Sequence, residues 1–318
     1  MGLIIQKPGL QTTIQDLGRN GYQALGFSVS GPMDSLSMEA ANLILQNDRG
    51  AATIEMGIVG GHFLFKKDTI ISITGAFMNP KINQLAIHQG APISVRKGDL
   101  LTFGPATHGV YTYLAVKDGF KSLRYLSSRS SSNLRNSILG SSLKKEAYIP
   151  FETYTPDAPK RWFIDTMIEE TGQERVIRYI EGRHYEWFTE EAKQTFENEP
   201  FHISSQSNRM GYRLKGVTLK QKQSAEVWTE GTLFGSIQVP PNGQPIILMA
   251  DRQPTGGYPK IGQVIKADLP KLSQTSFQSK IRFKKVTLME AFEAYKQQEQ
   301  LKRVWRVSIE RKWKEWCE

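Results

Sequence analysis

The chain has 318 residues, of which 39% are hydrophobic, 10% aromatic and 23% charged, with a formal net charge of +10. This is ordinary globular composition, and 27 glycines with 15 prolines are too few for a collagen-like or low-complexity chain. No run approaches the roughly 18 uninterrupted apolar residues of a membrane helix, which excludes an integral membrane protein of that kind.

The excess charge sits in two stretches. Lys117–Lys145 has seven basic residues against one acid, and Ile281–Glu318 has ten against six. Neither interleaves basic residues with stacking aromatics, so the charge reads as solvated surface and no specific nucleic-acid partner is expected. The single cysteine, Cys317, cannot form an internal disulfide, and the N-terminus lacks the apolar core of a secretion signal. A cytoplasmic protein is therefore expected, with no membrane partner.

In chain order, Asp34 caps a predicted helix over Ser35–Gln46 that places Leu36, Ala40, Leu43 and Ile44 on one face. Strands follow at Thr69–Thr74, Ala91–Val95, Leu100–Phe103 and Tyr111–Val116, rich in β-branched and aromatic residues and separated by turn signals. Ser122–Ser142, with nine serines, reads as a long loop, and Phe151–Pro159 as a linker. Beyond it come strands at Val176–Ile180, Gln244–Ala250, Gln263–Ala267 and Lys280–Phe283, and a helix over Thr189–Asn198. Thr287-x-x-Glu290 has capping-box spacing and opens a C-terminal helix whose continuation, Leu301–Trp316, is basic and Trp-rich. The expected architecture is mainly β with a few helices. It divides into an N-terminal lobe over 1–150, a C-terminal lobe over 160–295 and a basic helix over 296–318.

Several common chemistries lose support. The five histidines stand far apart without cysteine partners, so no metal site is legible. Gly21-x-x-x-x-Gly26 is followed by Phe27 where a phosphate-binding loop needs Lys, and no GxGxxG occurs. No methionine precedes a lysine, so the Met-Lys-Met site of biotin attachment is missing and biotin is not attached to this chain.

Four stretches concentrate Gly beside Arg, Asp, Gln and Tyr. They are Gln11–Tyr22, Ser30–Asp34 leading to Asn42 and Glu55, Ser207–Leu214, and Gly235–Pro245 continuing to Asp251–Tyr258. Gly256-Gly257 removes two Cβ atoms, letting backbone amides approach an anion. Arg209 and Arg213 have a spacing that lets both face one carboxylate or phosphate. Asp16, Asp34 and Asp251 lie in Gly-rich turns where an acid can accept a proton or orient an amide. Acids in such turns also simply cap and bend the backbone, so their joint occurrence carries the inference.

On Gln15-Asp16-x-Gly18-Arg19, Ser30-Gly31-x-Met33-Asp34, Arg209-Met210-Gly211-Tyr212-Arg213-Leu214 and Gly256-Gly257-Tyr258, the chain resembles the biotin-dependent carboxyltransferase family. That family includes the C subunit of ATP-dependent 5-oxoprolinase, the second subunit type of allophanate hydrolase and the KipA regulators. The resemblance implies two cyclophilin-like β-barrel lobes, a KipI-like B subunit and a separate A subunit. It also implies a complex that opens the lactam of 5-oxoproline to glutamate with ATP, held here or by a partner protein. Related domains of urea carboxylase bind carboxybiotin. The sequence departs from the family pattern in the middle loop around Ser127–Ser132, where glycines are missing, and Pro254 replaces a frequent Thr.

On this resemblance the lobes are expected to meet in a cleft. Asp16, Asp34, Asp251 and Gln253 form its catalytic set, with Asp251 or Asp16 orienting the lactam nitrogen or a water. Arg19, Asn42, Glu55, Arg209, Arg213, Gln238, Gly256, Gly257 and Tyr258 bind substrate. Two other functions share the pattern: a regulator that antagonises a KipI-type kinase inhibitor, and a carboxyltransferase acting on a separate biotinylated carrier.

Overall fold

The structure, a computed structural model, describes residues 2–132, 142–154, 162–165, 174–222, 227–277 and 279–317. Positions 133–141 of the expected serine loop and 155–159 of the expected linker lie outside the described residues. The chain divides into two compact units. The first comprises Met1–Arg19, Ser30–Glu169 and Glu299–Glu318, and the second Asn20–Val29 and Glu170–Gln298.

The first unit is built on two sheets. Six strands run in the order Tyr148–Pro150, Gly2–Lys7, His62–Phe65, Leu100–Thr102, Lys81–Ile82, Leu85–Ala86, and five in the order Gln11–Gln15, Thr53–Gly57, His108–Val116, Thr69–Phe77, Ile93–Val95. Leu3, Ile5, Phe63 and Phe65 from one sheet share a single buried cluster with Ile54, Met56, Ile71, Ile73 and Leu114 from the other. Burying aliphatic and aromatic side chains of this size stabilises the fold by about 1.5–3 kcal/mol each. Phe151 also belongs to this core, edge-on to Phe120 and tilted against Phe65, so the expected linker starts inside the first unit rather than at its edge.

Helix α1, Ser35–Ile44, forms as the sequence predicts, because Asp34 accepts the Ser37 N–H at 3.0 Å and satisfies an otherwise orphaned donor. It ends at Ile44, two residues earlier than expected, ahead of a left-handed Gln46.

The second unit contains a closed barrel of seven strands: Glu174–Glu181, Lys260–Val264, Ser236–Gln238, Ile246–Leu248, Gly211–Lys215, Phe201–Ile203 and Lys280–Lys285. Parallel pairing of Glu174–Tyr179 with Lys280–Lys285 closes the ring and leaves no open edge there. Tyr179, Phe196, Phe201 and Phe283 pack edge-on and stacked inside it. Helix α2, Glu190–Asn198, contributes Phe196 and is capped by Thr189. A short helix α3, Leu269–Ser273, follows the strand Lys260–Val264. The strand expected at Gln263–Ala267 lies three residues earlier, and Lys266–Asp268 is a single 3-10 turn instead.

Helix α4 runs unbroken from Leu288 to Cys317 and joins the two expected C-terminal segments. Thr287 and Glu290 form the reciprocal capping box the spacing predicted. Its later half is held in the first unit by Lys302 to Glu39 at 3.1 Å, Trp313 Nε1 to the Ile44 carbonyl at 2.9 Å, and a buried Ile309.

Candidate functional site

The expected site residues fall into two groups. Asp16, Arg19, Asp34, Asn42 and Glu55 belong to the first unit, and Arg209, Arg213, Gln238, Asp251, Gln253, Gly256, Gly257 and Tyr258 to the second.

In the first unit, Asp16 organises the serine loop. Its Oδ1 accepts hydrogen bonds from the Ser128 and Ser130 hydroxyls at 2.6 and 2.7 Å and from the Gly18 N–H at 2.9 Å. Its Oδ2 accepts the Arg129 N–H at 2.6 Å. A carboxylate that receives four donors has little capacity left for abstracting a proton, so in this arrangement it fixes the loop. Arg19 is buried and donates to the Ser130 carbonyl, while Gln15 donates to the Ser131 carbonyl at 3.2 Å.

Beside this loop lies the Ser30–Asp34 turn. Ser30 and Gly31 have φ of 56° and 86°, a left-handed pair, and a Cβ on Gly31 would sit 3.4 Å from the Gly18 backbone nitrogen. Glu55 Oε2 accepts the Met33 N–H at 2.8 Å and the Tyr113 hydroxyl at 2.7 Å, and that hydroxyl accepts the Asp34 N–H. Burial, then the neighbouring Glu55 and Asp34 charges, push the Tyr113 hydroxyl well above its ordinary pKa, so it stays a donor. Asp34 itself is occupied as the helix cap. Asn42 is set apart from this cluster in role, since it ties down the loop after α1 through the Ala51 carbonyl and Asn47.

In the second unit, Arg209 and Asp251 form a fully buried pair: Nε to Oδ2 is 2.9 Å and a second nitrogen reaches Oδ1 at 3.1 Å. Arg213 does not join it. It lies on Gly211–Lys215, where Tyr212 and Leu214 face the core and Arg213 is exposed. The strand period of two keeps residues 211, 213 and 215 on one outer face.

A two-stranded ribbon, Glu230–Gly231 against Thr255–Gly256, carries the glycine motif. Its Thr232 clamps the chain beyond Asp251, donating to the Gln253 and Pro254 carbonyls from its hydroxyl and N–H. The Gln253 side chain is exposed, as are Gly257 and Tyr258, whereas Gly256 is buried. A Cβ on Gly256 would come within 2.6 Å of Gln238 Nε2. Gln238 is 2% exposed and its Nε2 has no hydrogen-bond partner among the described residues, so a buried donor faces the glycine motif.

Adjacent to the ribbon, a hollow is lined by Arg183, His184, Trp187, Val227, Trp228 and Glu230. His184 Nδ1 accepts the Lys260 N–H at 3.1 Å, which puts its own proton on Nε2, and burial lowers its pKa from the usual value. No group of three or more potential metal ligands occurs among the described residues, and none of their helices is long and apolar enough to cross a membrane.

Four contributors escape the sequence reading: Tyr113, Ser128, Ser130 and Arg252. Tyr113 lies in an apolar strand with no local polar signal. The serines look like loop filler until Asp16, more than a hundred residues away, is brought to them. Arg252 does stand inside a recognised motif, next to Asp251, but nothing local distinguishes it.

With this geometry of a β barrel, a glycine ribbon and tightly hydrogen-bonded acidic turns, comparison with known proteins gives a consistent answer. Residues 25–285 match the family model described as carboxyltransferase domain, subdomain A and B, and the chain belongs to that family. It is 37% identical to the C subunit of 5-oxoprolinase from Haemophilus influenzae, covering 88% of this chain and 90% of that protein. Against the C subunit of 5-oxoprolinase from Escherichia coli the figures are 34%, 93% and 95%. Urea amidolyase of Lachancea kluyveri is 31% identical over 88% of this chain, which spans only 16% of that protein. The crystal structure of Kluyveromyces lactis urea carboxylase superposes with a TM-score of 0.85 and 27% identity, covering 94% of this chain and 28% of that one. The mainly β expectation and the family resemblance are both borne out.

Proposed function

We propose that this chain is the C subunit of a 5-oxoprolinase-type complex, which opens the lactam of 5-oxoproline to glutamate at the expense of ATP. The carrying observation is near-full-length similarity to two proteins named as that subunit. In this reading the protein works in the cytoplasm with a KipI-like B subunit and an A subunit, and ATP is a co-substrate of the complex, held here or by one of those partners.

Because a lactam is resonance-stabilised, phosphorylating its carbonyl oxygen gives water an activated centre. The chain's contribution is positioning and charge stabilisation. Gln238 Nε2 is the donor for developing negative charge on the reacting oxygen, and Gly256 keeps the backbone close enough for that approach. Arg209 orients Asp251 through both carboxylate oxygens, so Asp251 can receive an N–H of the substrate amide. On the first unit, Asp16 and Arg19 shape the serine loop, and Glu55 with Tyr113 shapes the Ser30–Asp34 turn.

The test is reconstitution. The A and B subunits coexpressed with this chain are expected to release glutamate from 5-oxoproline only when ATP is present. Gly256→Ala, which would push its methyl into the Gln238 amide, should cut turnover by about a hundredfold, the range found for losing one oxyanion donor. Absence of turnover from a correctly assembled complex would end this reading.

Likeness to urea carboxylase and urea amidolyase supports a second reading, a carboxyltransferase that uses a separate biotinylated carrier. Inhibition of turnover by avidin would select it, and insensitivity would exclude it.

A further inference from the structure

Among the described residues, the second unit contains a buried cation with no ion-pair partner, whose neighbouring opposite charge, Asp251, is bonded to Arg209. Arg252 is only 7% exposed, yet the carboxylate next to it in sequence, Asp251, has both oxygens engaged by Arg209. Arg252 makes no ion pair with any described residue. Its Nε has no hydrogen-bond partner among them, one terminal nitrogen reaches the Met249 carbonyl at a long 3.4 Å, and its guanidinium carbon lies 6.0 Å from the centre of the Phe234 ring. Burial lowers its pKa from the guanidinium value to about 10, so it is still charged at neutral pH. A buried guanidinium without a bonded carboxylate costs stability, and a bound anion would offset that cost.

Its backbone is fixed while its Nε is left without a partner among the described residues. The Ser28 hydroxyl donates to the Arg252 carbonyl at 2.9 Å, and the chain immediately beyond is clamped by Thr232. The same ribbon covers the second buried donor without a partner, Gln238 Nε2 beneath Gly256. Two donors without partners, Arg252 Nε in the segment leading into the ribbon and Gln238 Nε2 on the strand beneath it, are groups that an oxyanion could satisfy.

We propose that Arg252 anchors an oxyanion, a carboxylate or a phosphate, of a small ligand bound beside the two-stranded ribbon Glu230–Gly231 and Thr255–Gly256. The guanidinium supplies the charge-assisted hydrogen bonds that the expected pair of Arg209 and Arg213 does not, since Arg209 is committed to Asp251 and Arg213 faces outward. The inference deepens the proposed function by assigning a receiver for the acidic end of the substrate or for its phosphorylated form. It rests on that reading only for the choice of 5-oxoproline as a probe.

The experiment measures the thermal unfolding midpoint of the full chain, titrated separately with inorganic phosphate and with 5-oxoproline at ionic strength held constant with chloride. The wild-type midpoint should rise with at least one of the two and not with chloride. A response to phosphate alone identifies a phosphoryl ligand, and a response to 5-oxoproline alone identifies the carboxylate. Arg252→Met should match or exceed the wild-type midpoint without ligand, and its affinity for the responding probe should fall about tenfold or more. Arg252→Gln, which keeps a polar head but no charge, should show the same loss, whereas Arg213→Gln should respond as wild type. Wild-type insensitivity to both probes overturns the proposal, as does an unchanged response in the Arg252 variants. A lowered ligand-free midpoint in both variants also overturns it, because the guanidinium would then be a structural group. Lactam turnover by the assembled complex is a separate readout: its absence beside an intact Arg252-dependent response removes the proposed reaction and leaves this site standing.

Discussion

Asp16 illustrates how far apart in sequence the partners of one side chain can be. Its four donors come from Gly18 and from Ser128, Arg129 and Ser130. Asp16→Ala would leave those donors without their charged acceptor, and a loss of about 3 kcal/mol is expected from urea unfolding, since hydrogen bonds to charged groups contribute the most. His184 gives a pH-dependent case. The folded protein keeps its imidazole neutral, with a pKa below the ordinary 6.5, while the unfolded chain protonates normally. Below about pH 6.5 the unfolded state binds more protons, so this contribution is complete above that pH and is lost on acidification. Unfolding midpoints measured from pH 7 to 5 should fall less in His184→Gln than in the wild type, and an identical fall would sink the assignment.

At the scale of elements, the middle loop carries strain that the family pattern would relieve with glycine. Tyr125 and Ser128 exchange backbone hydrogen bonds across Leu126-Ser127, both left-handed, with φ of 48° and 63°. This is a two-residue hairpin turn that favours Asn-Gly. Replacing the pair by Asn-Gly is expected to raise stability by about 1–2 kcal/mol while leaving the Asp16 contacts in place. Helix α4 makes the opposite point, that a basic, Trp-rich stretch can be an internal brace. Ile309→Ala should cost about 2–4 kcal/mol and speed amide exchange in the last turns of the helix, because Ile309 is fully buried while much of the remaining surface is wet.

At the scale of the whole molecule, family membership and near-full-length similarity to two proteins named as subunits support a component of a multi-subunit assembly. The family model reaches from residue 25 to 285, so most of both units falls within it. If the assembled enzyme is a lactam hydrolase, avidin should leave its turnover unchanged within error, since no biotin participates. An avidin-sensitive rate would move the protein to the carboxyltransferase reading instead.

What could be read directly from the sequence was local in origin. The Asp34 cap, the Thr287–Glu290 box and the α2 start all depend on residues three or four positions apart, and their geometry follows from that spacing alone. The strand rhythm and the Gly-rich motifs were visible for the same reason, and they sufficed to reach the family. The site was legible only as a set of names. Whether Arg209 faced a ligand or a partner acid, and whether Asp16 was a base or an anchor, depended on contacts 42 and more than 100 residues distant. Sequence spacing carries no information about such pairings, because closing the chain over those lengths is decided by which surfaces bury together. The tertiary structure alone set Arg209 against Asp251, turned Arg213 outward and left Arg252 charged, buried and without an ion-pair partner among the described residues, a feature that no local pattern announced.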